Sequence, residues 1–140
     1  MPRMTRDEIV TKLVTRWCSR LMQTRYIVTW GWTECSGYVG RCIRSNCSFR
    51  VDLEFERRQS WSQLRDTVIH EIIHIQAHLR DQVIYDLKKS HCMPRAVWRY
   101  MNAAYKRQDE MCVDEMARLL ASISEWDDAD LKKKWKKAKQ

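Results

Sequence analysis

Three side chains in one short stretch could do chemistry together: His70-Glu71-Ile72-Ile73-His74 has the pattern H-E-x-x-H. On a helix, residues four apart lie one turn apart on the same face. Two imidazoles so placed can each give a nitrogen to a tetrahedral divalent ion, and zinc suits that donor set best. The glutamate between them is placed to take a proton from a water held at the ion, the general-base arrangement of a metal-dependent hydrolase. Thr67, Val68 and Ile69 precede the motif and Ile72, Ile73 and Ile75 run through it, so the helix is apolar nearly all round and must be buried. Polar groups without partners in such a helix cost kilocalories, and a bound metal supplies the partners.

A catalytic zinc site takes three protein ligands and leaves one position open. His78, His91, Glu110, Cys112 and Glu115 are the candidates for the third. Residues 61–89 and 95–125 contain no glycine or proline, and Pro94 suits the first turn of a new helix. Two long antiparallel helices reversing near Cys92 are therefore expected. Equal rise per residue then sets position 74 level with 110, and 70 level with 114. Glu110 would face His74, while Asp114 would face His70 and orient its ring from behind. His91 falls at the tip of this hairpin and His78 shares a helix with both other ligands. Glu115 points about 100° further round than Asp114. The register favours Glu110.

The elements that must position these groups can be read from the remaining pattern. Residues 6–23 carry Ile9, Leu13, Trp17 and Leu21 at helical spacing, giving an N-terminal amphipathic helix. Residues 26–32 are β-branched and aromatic, and Gly31, Gly37 and Gly40 punctuate an expected strand, turn and second strand. Phe49, Val51, Leu53 and Phe55 alternate with Arg50, Asp52, Glu54 and Glu56, predicting a strand with one buried and one wet face. Ser60 is placed to cap the metal-bearing helix. The expected fold is α+β: an N-terminal helix, a small three-stranded antiparallel sheet, then the two long helices.

The chain has 140 residues, 44% of them hydrophobic, which fits one domain with a modest core. That domain is expected to span residues 1–125, with 126–140 as a charged basic helix or tail. No apolar leader opens the chain and no run approaches the ~20 apolar residues that span a bilayer. A cytoplasmic protein with no membrane partner is expected, its six cysteines reduced and serving mostly as small buried hydrophobes. None of the cysteines forms a Cys-x-x-Cys pair. Nothing in the pattern specifies an oligomeric state.

Basic residues outnumber acidic ones by 26 to 18. Trp17, Trp61 and Trp98 fall on apolar helix faces and read as core. Lys133, Lys134, Trp135 and Lys136 lie in a lysine run whose lone aromatic could stack on a base while the lysines meet phosphates, which makes DNA a candidate partner beside a protein or peptide substrate. Tyr85, Tyr100 and Tyr105 are candidates, by residue type alone, for stabilising an oxyanion.

Two resemblances sharpen the reading. H-E-x-x-H followed by Glu110-x-x-x-Asp114 resembles the gluzincins, thermolysin-like peptidases in which the glutamate is the third zinc ligand and the aspartate supports the first histidine. Asp109-Glu110-x-x-Val113-x-x-Met116-Ala117-x-x-Leu120 is similar to the second motif of small zincin-like proteins encoded by bacteriophages. Upstream, Trp30, Thr33-Glu34-Cys35-Ser36-Gly37, Cys47-Ser48-Phe49-Arg50-Val51 and Asp66-Thr67-Val68-Ile69-His70-Glu71 resemble the SprT-like domain. Some proteases of that family digest proteins crosslinked to DNA. Its third ligand is a histidine usually followed by glycine; His91 stands at that separation but precedes Cys92, which makes His91 the alternative third ligand. The resemblances imply a zincin-like fold, with the strand at 49–55 lying along the cleft to receive an extended substrate as an added strand, and a Zn2+-dependent metallopeptidase that hydrolyses amide bonds with Glu71 as general base.

Overall fold

A computed structural model describes residues 3–21, 25–34, 37–44, 49–76, 86, 89 and 94–138. Helix α1 (Arg6–Arg20) starts at a reciprocal cap: the Thr5 hydroxyl accepts from the Glu8 N–H, and the Glu8 carboxylate accepts from the Thr5 N–H at 2.7 Å. Its apolar stripe buries Ile9, Val10, Leu13, Val14 and Trp17.

Strands β1 (Ile27–Thr33), β2 (Gly40–Arg44) and β3 (Arg50–Glu56) form one sheet in the order β1-β3-β2. β1 runs parallel to β3 and β2 antiparallel to it. The sheet is thus mixed, where an antiparallel one was expected, and the first two strands do not pair as neighbours. Burial explains the order. Val51, Leu53 and Phe55 are at most 1% exposed, the most apolar row in the sheet, so β3 takes the centre and both of its edges are paired. With both edges paired, β3 is closed to the added substrate strand expected there. Phe49, expected in the same buried row, lies just outside the strand and is exposed, with its ring edge-on to Tyr26.

The register places Val28, Trp30 and Trp32 beside Val51, Leu53 and Phe55, and Cys42 and Gly40 beside Leu53 and Phe55 on the other side. This face carries the helices. Trp30 and Trp32 donate their indole N–H groups to Thr11 and Asp7 of α1 at 3.0 and 2.8 Å. The opposite face is polar, with Tyr38 and Arg41 both on the Glu54 carboxylate and Thr29 on Asp52.

Ser60 caps helix α2 (Trp61–Gln76) as expected, its hydroxyl accepting from the Gln63 N–H while the Gln63 side chain accepts from the Ser60 N–H. Asp86 and Lys89 are also helical. Helix α3 (Arg95–Ile123) packs against α2; a 3-10 helix (Glu125–Asp128) and helix α4 (Ala129–Lys137) follow. The fold is α+β, and among the described residues no helix is long and apolar enough to cross a membrane.

The segment expected as a charged basic helix or tail is helical over Ala129–Lys137 and packs into the core. Leu131 and Trp135 are buried, and Trp135 packs against Trp61 with ring centroids 5.9 Å apart. Asp128, 1% exposed, accepts from Arg65 of α2 at 2.8 Å and from Arg16 and the Trp17 indole of α1, both at 3.0 Å. Arg20 adds a fourth contact at 3.3 Å. Burial alone would raise the Asp128 pKa, but the bonds from Arg65, Arg16 and Trp17 outweigh it and hold the carboxyl below the usual carboxylate range. One carboxylate thus ties the C-terminal segment to α1 and to the helix that carries His70, across the boundary expected at residue 125.

Candidate metal centre

On α2 the residues facing the sheet and α1 are aliphatic: Val68, Ile69, Ile72 and Ile75 are all fully buried. His70 and His74, one turn apart, lie on the flank that meets α3 and are only part-buried. The two rings turn Nε2 toward Nε2 at 3.0 Å. Glu110 of α3 reaches both, with Oε2 3.5 Å from His70 Nε2 and Oε1 3.2 Å from His74 Nε2. One donor atom from each of the three lies within 4.8 Å of the others. A tetrahedral ion with bonds of 2.0–2.1 Å holds neighbouring ligand atoms about 3.3 Å apart; the imidazole pair, at 3.0 Å, is close to that, and the two short contacts to Glu110 use its two different oxygens.

Behind His70, its Nδ1 stands 3.1 Å from Asp114 Oδ1. A carboxylate can only accept, so the Nδ1 carries the proton and Nε2 presents its lone pair toward His74 and Glu110. The pairings 70 with 114 and 74 with 110 are those expected from the helical register. The donor set of two imidazole nitrogens and a carboxylate suits zinc, and other divalent ions accept the same donors. Glu110 and Asp114 are more than half exposed, so the cluster opens to solvent on the α3 side.

Glu71 points about 100° round the helix from His70, toward β2. It is buried, and the pKa of its carboxyl is pushed up to about 7 by that burial and by the nearby charge of Glu110, against the pull of a hydrogen bond from the Cys42 backbone N–H. Contact this close requires Gly40. A Cβ there would sit 2.3 Å from Thr67 Cγ2 and 3.1 Å from both Cγ and Oε1 of Glu71. Thr67 cannot easily rotate away, because its hydroxyl is bonded to the Gln59 side chain at 2.8 Å and to the Gln63 carbonyl at 2.7 Å. Sequence reading found Gly40 only as turn punctuation and missed Cys42 altogether. Their role rests on the approach of strand to helix, which no local pattern announces.

His78 and His91 lie outside the described residues, as does Tyr85. Cys112 and Glu115 are exposed on α3, about 200° and 140° round from Glu110, so neither joins the cluster. Tyr100 is 75% exposed and lies ten residues, about 15 Å of helical rise, from Glu110; Tyr105 is about 140° round from it. Neither converges on the site.

Lys133, Lys134 and Lys136 are exposed on α4, but Trp135 is 6% exposed and sits beneath the Arg6 guanidinium at 4.5 Å. It is a core residue, which removes the stacking partner expected for a nucleic-acid base. Cys18 and Cys42 are half-buried and in no disulfide; burial pushes the Cys18 thiol up to about 11, as befits an inert packing group. Comparison with protein-family models, with curated proteins and with solved structures finds no match to this chain.

Proposed function

We propose that this chain is a zincin-type zinc metallopeptidase, with His70, His74 and Glu110 holding the ion and Glu71 serving as general base. The observation that carries this reading is the convergence of one donor atom from each of His70, His74 and Glu110 within 4.8 Å, with Asp114 fixing the tautomer of His70. Bound there, the ion would supply Lewis acidity toward a scissile carbonyl and toward the attacking water. Glu71, poised near neutrality by burial, accepts a proton on its carboxylate and returns it to the departing amine. The Cys42 N–H holds that carboxylate in one orientation.

Substrate binding is assigned to β2. The Glu56 N–H donates to the Val39 carbonyl, so ladder alternation turns the backbone groups of Gly40, Cys42 and Arg44 away from β3. The Cys42 N–H on this edge is held by Glu71, so an extended peptide added as a further strand would pair through Gly40 and Arg44 on either side of it. The protein or peptide substrate would lie between the edge strand and the metal cluster.

The test is metal content with hydrolysis of an unstructured protein such as casein, for the wild type and Glu71→Gln. About one zinc per chain in both, with hydrolysis at least 100-fold lower in the variant, is the expected result. Undiminished hydrolysis by Glu71→Gln would end the general-base assignment, and a wild type that takes up no divalent ion would end the whole reading.

A further inference from the structure

Gln59 lies between β3 and α2, is 7% exposed, and spends its carboxamide on three places in the fold. Its Nε2 donates to the Val39 carbonyl at 2.8 Å and to the Glu56 carbonyl at 2.9 Å. Its Oε1 accepts from the Thr67 hydroxyl at 2.8 Å. A carboxamide has two N–H donors, and both are used. Val39 immediately precedes β2, Glu56 ends β3, and Thr67 lies on α2. The Glu56 N–H also donates to the Val39 carbonyl, at 2.9 Å. Gln59 therefore holds both sides of the rung at this end of the sheet and ties that rung to the helix that carries His70 and Glu71.

We infer that Gln59 is a positioning residue for Glu71: by fixing the start of β2 against Thr67, it keeps the Cys42 N–H on the Glu71 carboxylate. Thr67 and Glu71 are four apart on one face of α2, and Gly40, the residue after Val39, lies against both. Two positions further along the strand, the Cys42 N–H reaches the Glu71 carboxylate. Gly40 to Arg44 are paired with β3 at every position, so a displacement at Val39 is carried along to Cys42. The chemistry of the side chain is specific. Glutamate has the nearest shape, but its carboxylate would set an acceptor against the Val39 and Glu56 carbonyls. An aliphatic side chain would leave the Thr67 hydroxyl and both carbonyls short of a partner in a buried place. The catalytic consequence rests on the proposed general-base role of Glu71; the tie between strand and helix does not.

The test is amide hydrogen exchange followed by NMR on the full chain, beside casein hydrolysis and zinc content. Gln59→Met keeps the length of the side chain and removes its polar atoms. In this variant the Cys42 amide should exchange about tenfold faster, as the loss of one hydrogen bond implies. The amide of Leu13, fully buried in α1, should keep its wild-type rate. Thr67→Val removes only the hydroxyl and should have the same selective effect, which decides the matter if Gln59→Met does not fold. In both variants kcat should fall about 10–100-fold, with KM and zinc content unchanged. Wild-type exchange at Cys42 in a folded variant, or equal acceleration at Cys42 and Leu13, would overturn the inference; the second result would make Gln59 a general stabiliser. A wild type that hydrolyses nothing would end the function proposed above, and the exchange rates would still decide whether Gln59 places the strand.

Discussion

His70 and Asp114 meet across two helices, Nδ1 to Oδ1 at 3.1 Å, and that contact decides which nitrogen of the ring is free to bind. Replacing the aspartate should loosen the ion without touching any ligand. For Asp114→Ala, zinc affinity measured by competition with a chromogenic chelator is expected to fall about 10–100-fold, and Asp114→Asn should lose less, because its carbonyl still accepts from Nδ1. An unchanged affinity in the alanine variant would mean that the contact orients nothing.

Glu110 is the proposed third donor, and His91 is the alternative that the SprT resemblance suggests. Dialysed Glu110→Ala is expected to retain far less zinc than dialysed His91→Ala, which should match the wild type. The reverse order would replace the ligand set proposed here.

Gly40 permits the contact between β2 and Glu71. Gly40→Ala should cost about 1–3 kcal/mol by overpacking, read as a lowered urea midpoint. It should also depress hydrolysis more than zinc content, because the Cys42 N–H is displaced from the carboxylate. A variant as stable and active as wild type would show that the strand can retreat freely.

Asp128 makes a separable prediction about acid. Its folded-state pKa is held below the unfolded carboxylate value of about 3.9. Its contribution to stability is therefore complete above that value and is lost as pH falls through the lower, folded-state value. Asp128→Ala leaves Arg65 buried without its partner and should cost about 3–5 kcal/mol near neutrality. The loss relative to wild type should shrink in denaturant titrations carried below pH 4. A deficit that is constant with pH would point to packing instead of charge.

Much of the site was legible in the sequence because it depends on helical periodicity. Rise per residue alone aligned His74 with Glu110 and His70 with Asp114 once two long antiparallel helices were expected. The sheet was less legible. Alternation identified β3 and its wet face, but strand order follows from which row is most apolar and from how the connections close, and neither is written in local spacing. The C-terminal segment misled for a related reason. Its lysines suggest a solvated run, while the residues that anchor it, Asp128, Leu131 and Trp135, acquire meaning only from Arg65, Arg16 and Trp61, more than sixty positions earlier.

The mixed sheet also dictates an order of events during folding. β2 and β3 pair across a short reversal, with Arg44 facing Val51 only seven positions later, whereas every β1 residue waits for a partner twenty-three positions on, as Ile27 does for Arg50. Loop closure favours the shorter connection, so the β2–β3 hairpin is the early nucleus and β1 docks afterwards. The hairpin carries Gly40 and Cys42, so the half of the sheet that meets Glu71 assembles first. Destabilising substitutions in β1 should accordingly speed unfolding while leaving the refolding rate nearly unchanged.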